Sequence, residues 1–276
     1  MSRITICLTI FILVFISCQD KKKLVAYNYG SNNLSAVFHY NKGWEYIMDY
    51  GQWTLSEQSF RKAVELDSTF LVGKSVLGKI SRQLNERIKI LDEVIRKKHL
   101  ASKDDQLLID ITLTTLELFN ARDQNITLPQ SFYENFGTLG ENNYREFVHK
   151  YPDESYMKAE YIEFLHLNKG AKIALDSLHE LASATQKELP FFISYAAILE
   201  AELGHYARAL DLANHLKEKI SDSEIPEPHV LYAKIFSKMD SLTLAKAYIE
   251  KAVDLDANHI IAQRVKTDIN ARLIPK

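Results

Sequence analysis

The chain has 276 residues, and 34 Lys and Arg nearly balance 36 Asp and Glu, so the bulk positive field of a nucleic-acid binder is absent. Nine glycines and six prolines are roughly 5% of the chain against about 12% on average, which argues against a many-stranded sandwich or barrel and predicts long helices with short connections. Hydrophobic residues at 46% and charged residues at 25% exclude wholesale disorder.

The first element is an address. Arg3 precedes a run from Ile4 to Ile16 that is apolar except for Thr5 and Thr9. A spanning helix needs about 20 apolar residues, and Lys21–Lys23 stop any extension. Residues 1–17 therefore read as a signal peptide. Its end, Phe15-Ile16-Ser17-Cys18, resembles the lipobox of bacterial lipoproteins in the loose form of Bacteroidetes-type chains, with Phe15 where Leu is usual. The resemblance implies cleavage before Cys18, acylation of that residue with fatty acids such as palmitate, and membrane attachment at the cell envelope, with the outer membrane expected. Each buried acyl methylene contributes about 0.8 kcal/mol, and more than one chain makes the anchor stable. Cys7 and Cys18 are the only cysteines, so a mature body would hold no disulfide, thiolate metal site or cysteine nucleophile. Residues 18–35, broken by Gly30, Asn32 and Asn33, are expected to form a flexible tether.

The body, residues 36–276, repeats. Its first unit runs from Tyr40 to Ile47, turns at Gly51, and continues through Ser56, Phe60 and Ala63 to Asp67. Its last runs from His229 through Ala233 to Phe236, turns at Asp240, and continues through Ala245, Ile249 and Ala252 to Asp256. Phe60–Asp67 and Ile249–Asp256 match almost residue for residue. Both units resemble the tetratricopeptide repeat, a pair of antiparallel helices. That family places small residues at close helix crossings, here Ser56, Ala63, Ala233, Ala245 and Ala252; Trp44 departs from the pattern. The implied fold is all-α, a right-handed superhelical array of antiparallel helix pairs.

Weaker units lie between. Gly78 sits in a first helix, and Ile88, Leu91 and Ile95 mark one face of a second. Periodicity predicts helices over 104–119 and 129–150, the latter entered at Pro129 as a first-turn residue. Residues 153–167 and 171–181 form the next pair, then 191–203 with 207–220, where Ala197 and Ala209 are the small residues. Ile261, Val265, Ile269 and Leu273 recur every four residues, so a capping helix over about 258–274 is expected to close the stack.

Catalytic chemistry is not encoded in any motif found. Nine histidines include no H-E-x-x-H, and no phosphate-cradling glycine loop or nucleophile elbow occurs. No metal, cofactor or enzymatic activity is expected. The three Asp-Ser triplets, starting at Asp67, Asp176 and Asp240, look like O-glycan acceptors of Bacteroidetes-type secreted proteins. The family resemblance implies a protein or peptide partner held on the concave surface of first helices. The expected strip is Asn41, Glu45, Tyr46, Ser194, Ile198, Lys234 and Lys238, with Glu45 toward one end and the two lysines toward the other. Tyr40, Phe60 and the small residues are expected to pack the repeats. The reading is a lipid-anchored binding scaffold at the envelope, with an accessory role in outer-membrane glycan or nutrient uptake as the alternative.

Overall fold

The computed structural model describes residues 27–274, which form fourteen α-helices and no strand. The expected signal peptide, Cys18 and the tether as far as residue 26 lie outside the described residues. Helices pair in chain order. The first pairs are α1 (Leu34–Met48) with α2 (Trp53–Leu66), α3 (Leu71–Ile80) with α4 (Leu84–Lys97), and α5 (Lys103–Asp123) with α6 (Gln130–Lys150). Then come α7 (Ser155–Lys169) with α8 (Ala171–Leu181), a single turn α9 (Ala184–Lys187), and α10 (Pro190–Glu202) with α11 (Tyr206–Lys219). The array ends with α12 (Pro226–Lys238), α13 (Leu242–Leu255) and the lone α14 (Ile260–Leu273). None of the described helices is long and apolar enough to cross a membrane.

Close crossings explain why these helices pair. Tyr40, Phe60, Ala63, Ala197, Ala209, Ala233, Ala245 and Ala252 are all buried, as are Ser56 and Gly78. In the first unit the crossing falls at Gly43, one residue before Trp44. A Cβ there would lie 2.7 Å from the Phe60 ring, and the Ser56 hydroxyl donates to the Gly43 carbonyl at 2.8 Å. Gly43 thus supplies the small residue that Trp44 does not. The core is strung along the array, with successive clusters each sealing one interface. Fully buried Leu216 and Ile249 each contribute on the order of 1.5–3 kcal/mol.

Four details differ from the sequence expectations. Pro129 has extended backbone and precedes α6 rather than entering it. On α4 the inward face is Arg87 and Val94, with Ile95 half exposed, because Arg87 is held by Asn120, Asp123 and the Ser81 carbonyl. On α14 the buried residues are Ala262 and Ile269, while Leu273 is 38% exposed. The fourth difference is the largest. The described end of the expected tether, from Tyr27, is a strap packed on the body.

Tyr29 is fully enclosed, its ring 4.6 Å from Tyr40, and the Tyr27 ring is 4.4 Å from Tyr151. The Tyr27 N–H donates to Glu154 at 2.9 Å, its hydroxyl donates to Asp105 at 2.8 Å, and the Tyr29 hydroxyl donates to Glu154. Gly30, at φ +81°, sits where a Cβ would strike the Asp105 carboxylate at 2.7 Å. Asn33 then caps α1 by accepting from the Ser35 and Ala36 N–H groups. Aromatic burial, the buried Asp105 and the half-buried Glu154 convert a Gly/Asn-rich sequence into ordered structure.

The array also curls until its ends meet. The Thr54 N–H and hydroxyl donate to the Asp256 carboxylate at 2.9 and 2.7 Å, and the Asn258 amide donates to the Thr54 hydroxyl at 2.9 Å. The Glu227 N–H reaches the Tyr50 carbonyl at 3.2 Å, and the Trp53 and His259 rings lie 5.7 Å apart. Asp49 accepts from the Phe191 N–H and the Tyr156 hydroxyl at 3.0 and 2.8 Å, tying α1 across to α10 and α7. First and last units touch, so the concave side is a cavity with one open mouth rather than a groove running along the array.

Candidate functional site

The curled array surrounds a cavity of about 1000 Å³, lined by α1, α3, α5, α7, α10, α12 and α14 together with Trp53 at the start of α2, Arg87 of α4, Ser81 and Arg82 after α3 and His259 before α14. Spacing along each helix sets what points inward. Trp44, Ile47 and Met48 do so from α1, Glu160 and Glu163 from α7, Phe191, Ser194, Tyr195 and Ile198 from α10, and Glu227, Val230 and Lys234 from α12. Each set follows the three- and four-residue steps of one helix face. Trp53 and His259 close the side where the ends meet.

Of the seven residues expected to contact a partner, Ser194, Ile198 and Lys234 line this cavity. Asn41, Glu45 and Tyr46 are half-buried outside it, and Glu45 is engaged by Lys42 at 2.8 Å. Lys238 lies exposed beyond the cavity and pairs with Glu202 at 3.1 Å. On α1 the reason is rotational for Glu45 and Tyr46, which are turned about 100° and 200° from Trp44; Asn41 shares the Trp44–Met48 face one turn earlier and does not line the cavity. Trp44, Trp53, Lys79, Glu160, Glu163, Glu227 and His259 were not anticipated as site residues. A legible signal existed in Glu227, Val230 and Lys234, whose spacing of three and four marks one face.

The cavity is unevenly charged. Lys79 holds Glu160 at 2.6 and 2.8 Å and lies 5.4 Å from the centre of the Trp44 ring, and the Tyr144 hydroxyl donates to Glu160 at 3.1 Å. Ser194 donates to Glu227. Glu163 feels the charges of Lys79, Lys234 and Glu160 but makes no direct hydrogen bond or ion pair among the described residues. Burial, reinforced by the Glu160 charge, pushes its carboxyl up to about 7 despite the two lysines. Burial also raises Glu227, against the pull of Lys234 and Ser194.

His259 is 2% exposed, and burial, with Lys234 nearby, lowers it to about 4, so it is neutral at pH 7. Its Nδ1 accepts from the Ala262 N–H at 3.2 Å, which leaves the proton on Nε2. That Nε2 and the Trp44 Nε1 are buried donors without partners among the described residues. Unmet buried donors cost roughly 1–3 kcal/mol each, and these two face the packed interior rather than the cavity: Trp44 beside the buried Tyr40, and His259 against Gly51.

A tetratricopeptide repeat profile matches residues 226–259, which cover α12, α13 and the turn into α14. Among solved structures, the chain is similar to a tetratricopeptide repeat protein from Parabacteroides merdae, at 13% identity and a TM-score of 0.39 over 86% of this chain and 99% of that one. It is also similar to the TPR2AB domain of yeast Sti1 in complex with pHSP90, at 15% identity and a TM-score of 0.31 over 85% and 98% of the two chains. Scores this low carry no functional argument. No curated protein matches the chain. The described chain is thus an all-α array of helix pairs in which the α12–α13 unit matches the tetratricopeptide repeat.

Proposed function

We propose that this chain is a non-catalytic scaffold that binds a protein or peptide partner in the cavity enclosed by its first helices. The observation that supports this reading is the cavity itself. Helices α1, α5, α7, α10, α12 and α14 contribute one inward row each, and those rows carry aromatic walls and unpaired charge. Such a combination fits an extended segment whose side chains meet Trp44, Trp53, Phe191 and Tyr195. The scaffold is held at the bacterial envelope through lipid on Cys18, following the Phe15–Cys18 pattern.

Two experiments test the reading. Co-purification from solubilised envelope should recover a partner with wild type and lose it with Lys234→Glu at unchanged helical content; a partner retained by that variant sinks the cavity assignment. Labelling with a clickable fatty acid should mark wild type and not Cys18→Ala, and equal labelling would remove the anchor.

A further inference from the structure

Charge in the cavity is sorted by depth. Glu160, Glu163 and Glu227 lie deep, opposed there by Lys79 and Lys234, so three acids face two bases. At the exposed side stand Arg82, Arg122 and Arg264, with Arg87 beneath them, opposed by Asp123 and Asp268. The interior is acidic by one charge and the mouth basic by two. Among the deep carboxylates, Glu160 is taken by Lys79 and Glu227 by Ser194, while Glu163 is unengaged.

A ligand that satisfies this set carries a cation at its leading end and negative charge where it leaves the cavity. We infer that the cavity captures the free amino terminus of a short acidic peptide, with its ammonium on Glu163 and its acidic side chains against Arg82 and Arg264. This rests on the cavity being the binding site proposed above, and adds which end enters and what recognises it. An ammonium meeting an unpaired, mostly desolvated carboxylate makes a charge-assisted bond. About 1000 Å³, at the upper end of ordinary ligand cavities, holds a few residues rather than a folded domain.

The chain's two tryptophans, Trp44 and Trp53, both line the cavity, so intrinsic fluorescence reports occupancy directly. Full-length protein in detergent is titrated with tetrapeptides X-Ala-Asp-Asp, where X is Ala, Leu or Phe. Each is supplied with a free amine, N-acetylated, and C-amidated with a free amine. At least one free-amine peptide should shift the emission saturably below about 1 mM. N-acetylation and Glu163→Gln should each weaken it by about tenfold or more, the usual range for losing one charged hydrogen bond. C-amidation should change it little.

Saturation by none of the free-amine peptides, equal binding of the acetylated forms, or undiminished binding to Glu163→Gln with unchanged circular dichroism overturns the inference. A partner that co-purifies through Lys234 while all these peptides fail leaves the scaffold reading standing and removes this one.

Discussion

The first and last helix pairs carry nearly the same sequence, yet they hold different neighbours. Both second helices end at an aspartate with almost the same backbone, Asp67 at φ −139° and ψ 96°, Asp256 at φ −145° and ψ 98°. Each accepts from the N–H two residues on, Thr69 or Asn258, at 2.9 Å. Beyond that turn they diverge. Asp67 accepts from Ser31 at 2.6 Å and so secures the N-terminal strap, whereas Asp256 accepts from Thr54 and so closes the array on itself. The repeat specifies the pair and its turn; what the carboxylate meets beyond that turn is decided by curvature accumulated over the units between.

The pairs themselves break first. Ala245→Leu and Gly43→Leu overpack equivalent crossings in the two units, each at a cost of about 1–3 kcal/mol. Thermal melts should fall by roughly 2–4 °C per kcal/mol. An unshifted melt for Gly43→Leu would mean that α1 and α2 do not cross there.

The two aspartates sharpen the comparison. Asp256→Ala and Asp67→Ala should each cost about 1–3 kcal/mol, the range for hydrogen bonds to a charged acceptor. Hydrogen exchange separates them: loss of Asp256 should expose amides at the start of α2 and around His259, and loss of Asp67 those of 27–33. Identical exchange patterns would contradict the distinct roles.

A smaller effect concerns the cavity acids. Glu163 is raised from an ordinary value of 4.5 to about 7, so its neutral form is favoured by folding. Its stabilising contribution is complete below about pH 4.5 and is lost as pH rises through 7. Glu163→Gln, which stays neutral, should melt higher than wild type at pH 8 and alike at pH 4.5. His259 acts in the opposite sense, losing stability as pH falls from 6.5 toward 4, so the comparison must be made at matched pH. A lower melt for the variant at pH 8 would place a partner on Glu163. The smallest effect is Glu45→Gln, which removes only the half-exposed pair with Lys42 and should shift stability by less than about 1 kcal/mol.

How much was legible follows from the range of the interactions. Ala209, Ala245 and Phe60 reveal their places because the crossing they serve lies within one unit. Tyr27 and Tyr29 read as tether because their partners, Asp105, Glu154 and Phe147, lie far along the chain. Glu45 and Lys238 were assigned inward because helix phase was carried from a consensus, and Trp44 beside Gly43 shifts the local fit by one residue. Closure was invisible: nothing in Thr54 or Asp256 alone states that two residues 202 positions apart in the chain meet.

That closure is the claim on which the cavity depends, and short-range cross-linking tests it most directly. In a full-length chain with Cys7 and Cys18 replaced by Ser, Leu55→Cys and Ala257→Cys place exposed thiols next to the Thr54–Asp256 contact. A short bismaleimide should join them within one molecule, giving a faster-migrating band on a denaturing gel that neither single variant shows. Reaction only between molecules, or no faster band, would mean that the two ends stand apart and the cavity is open.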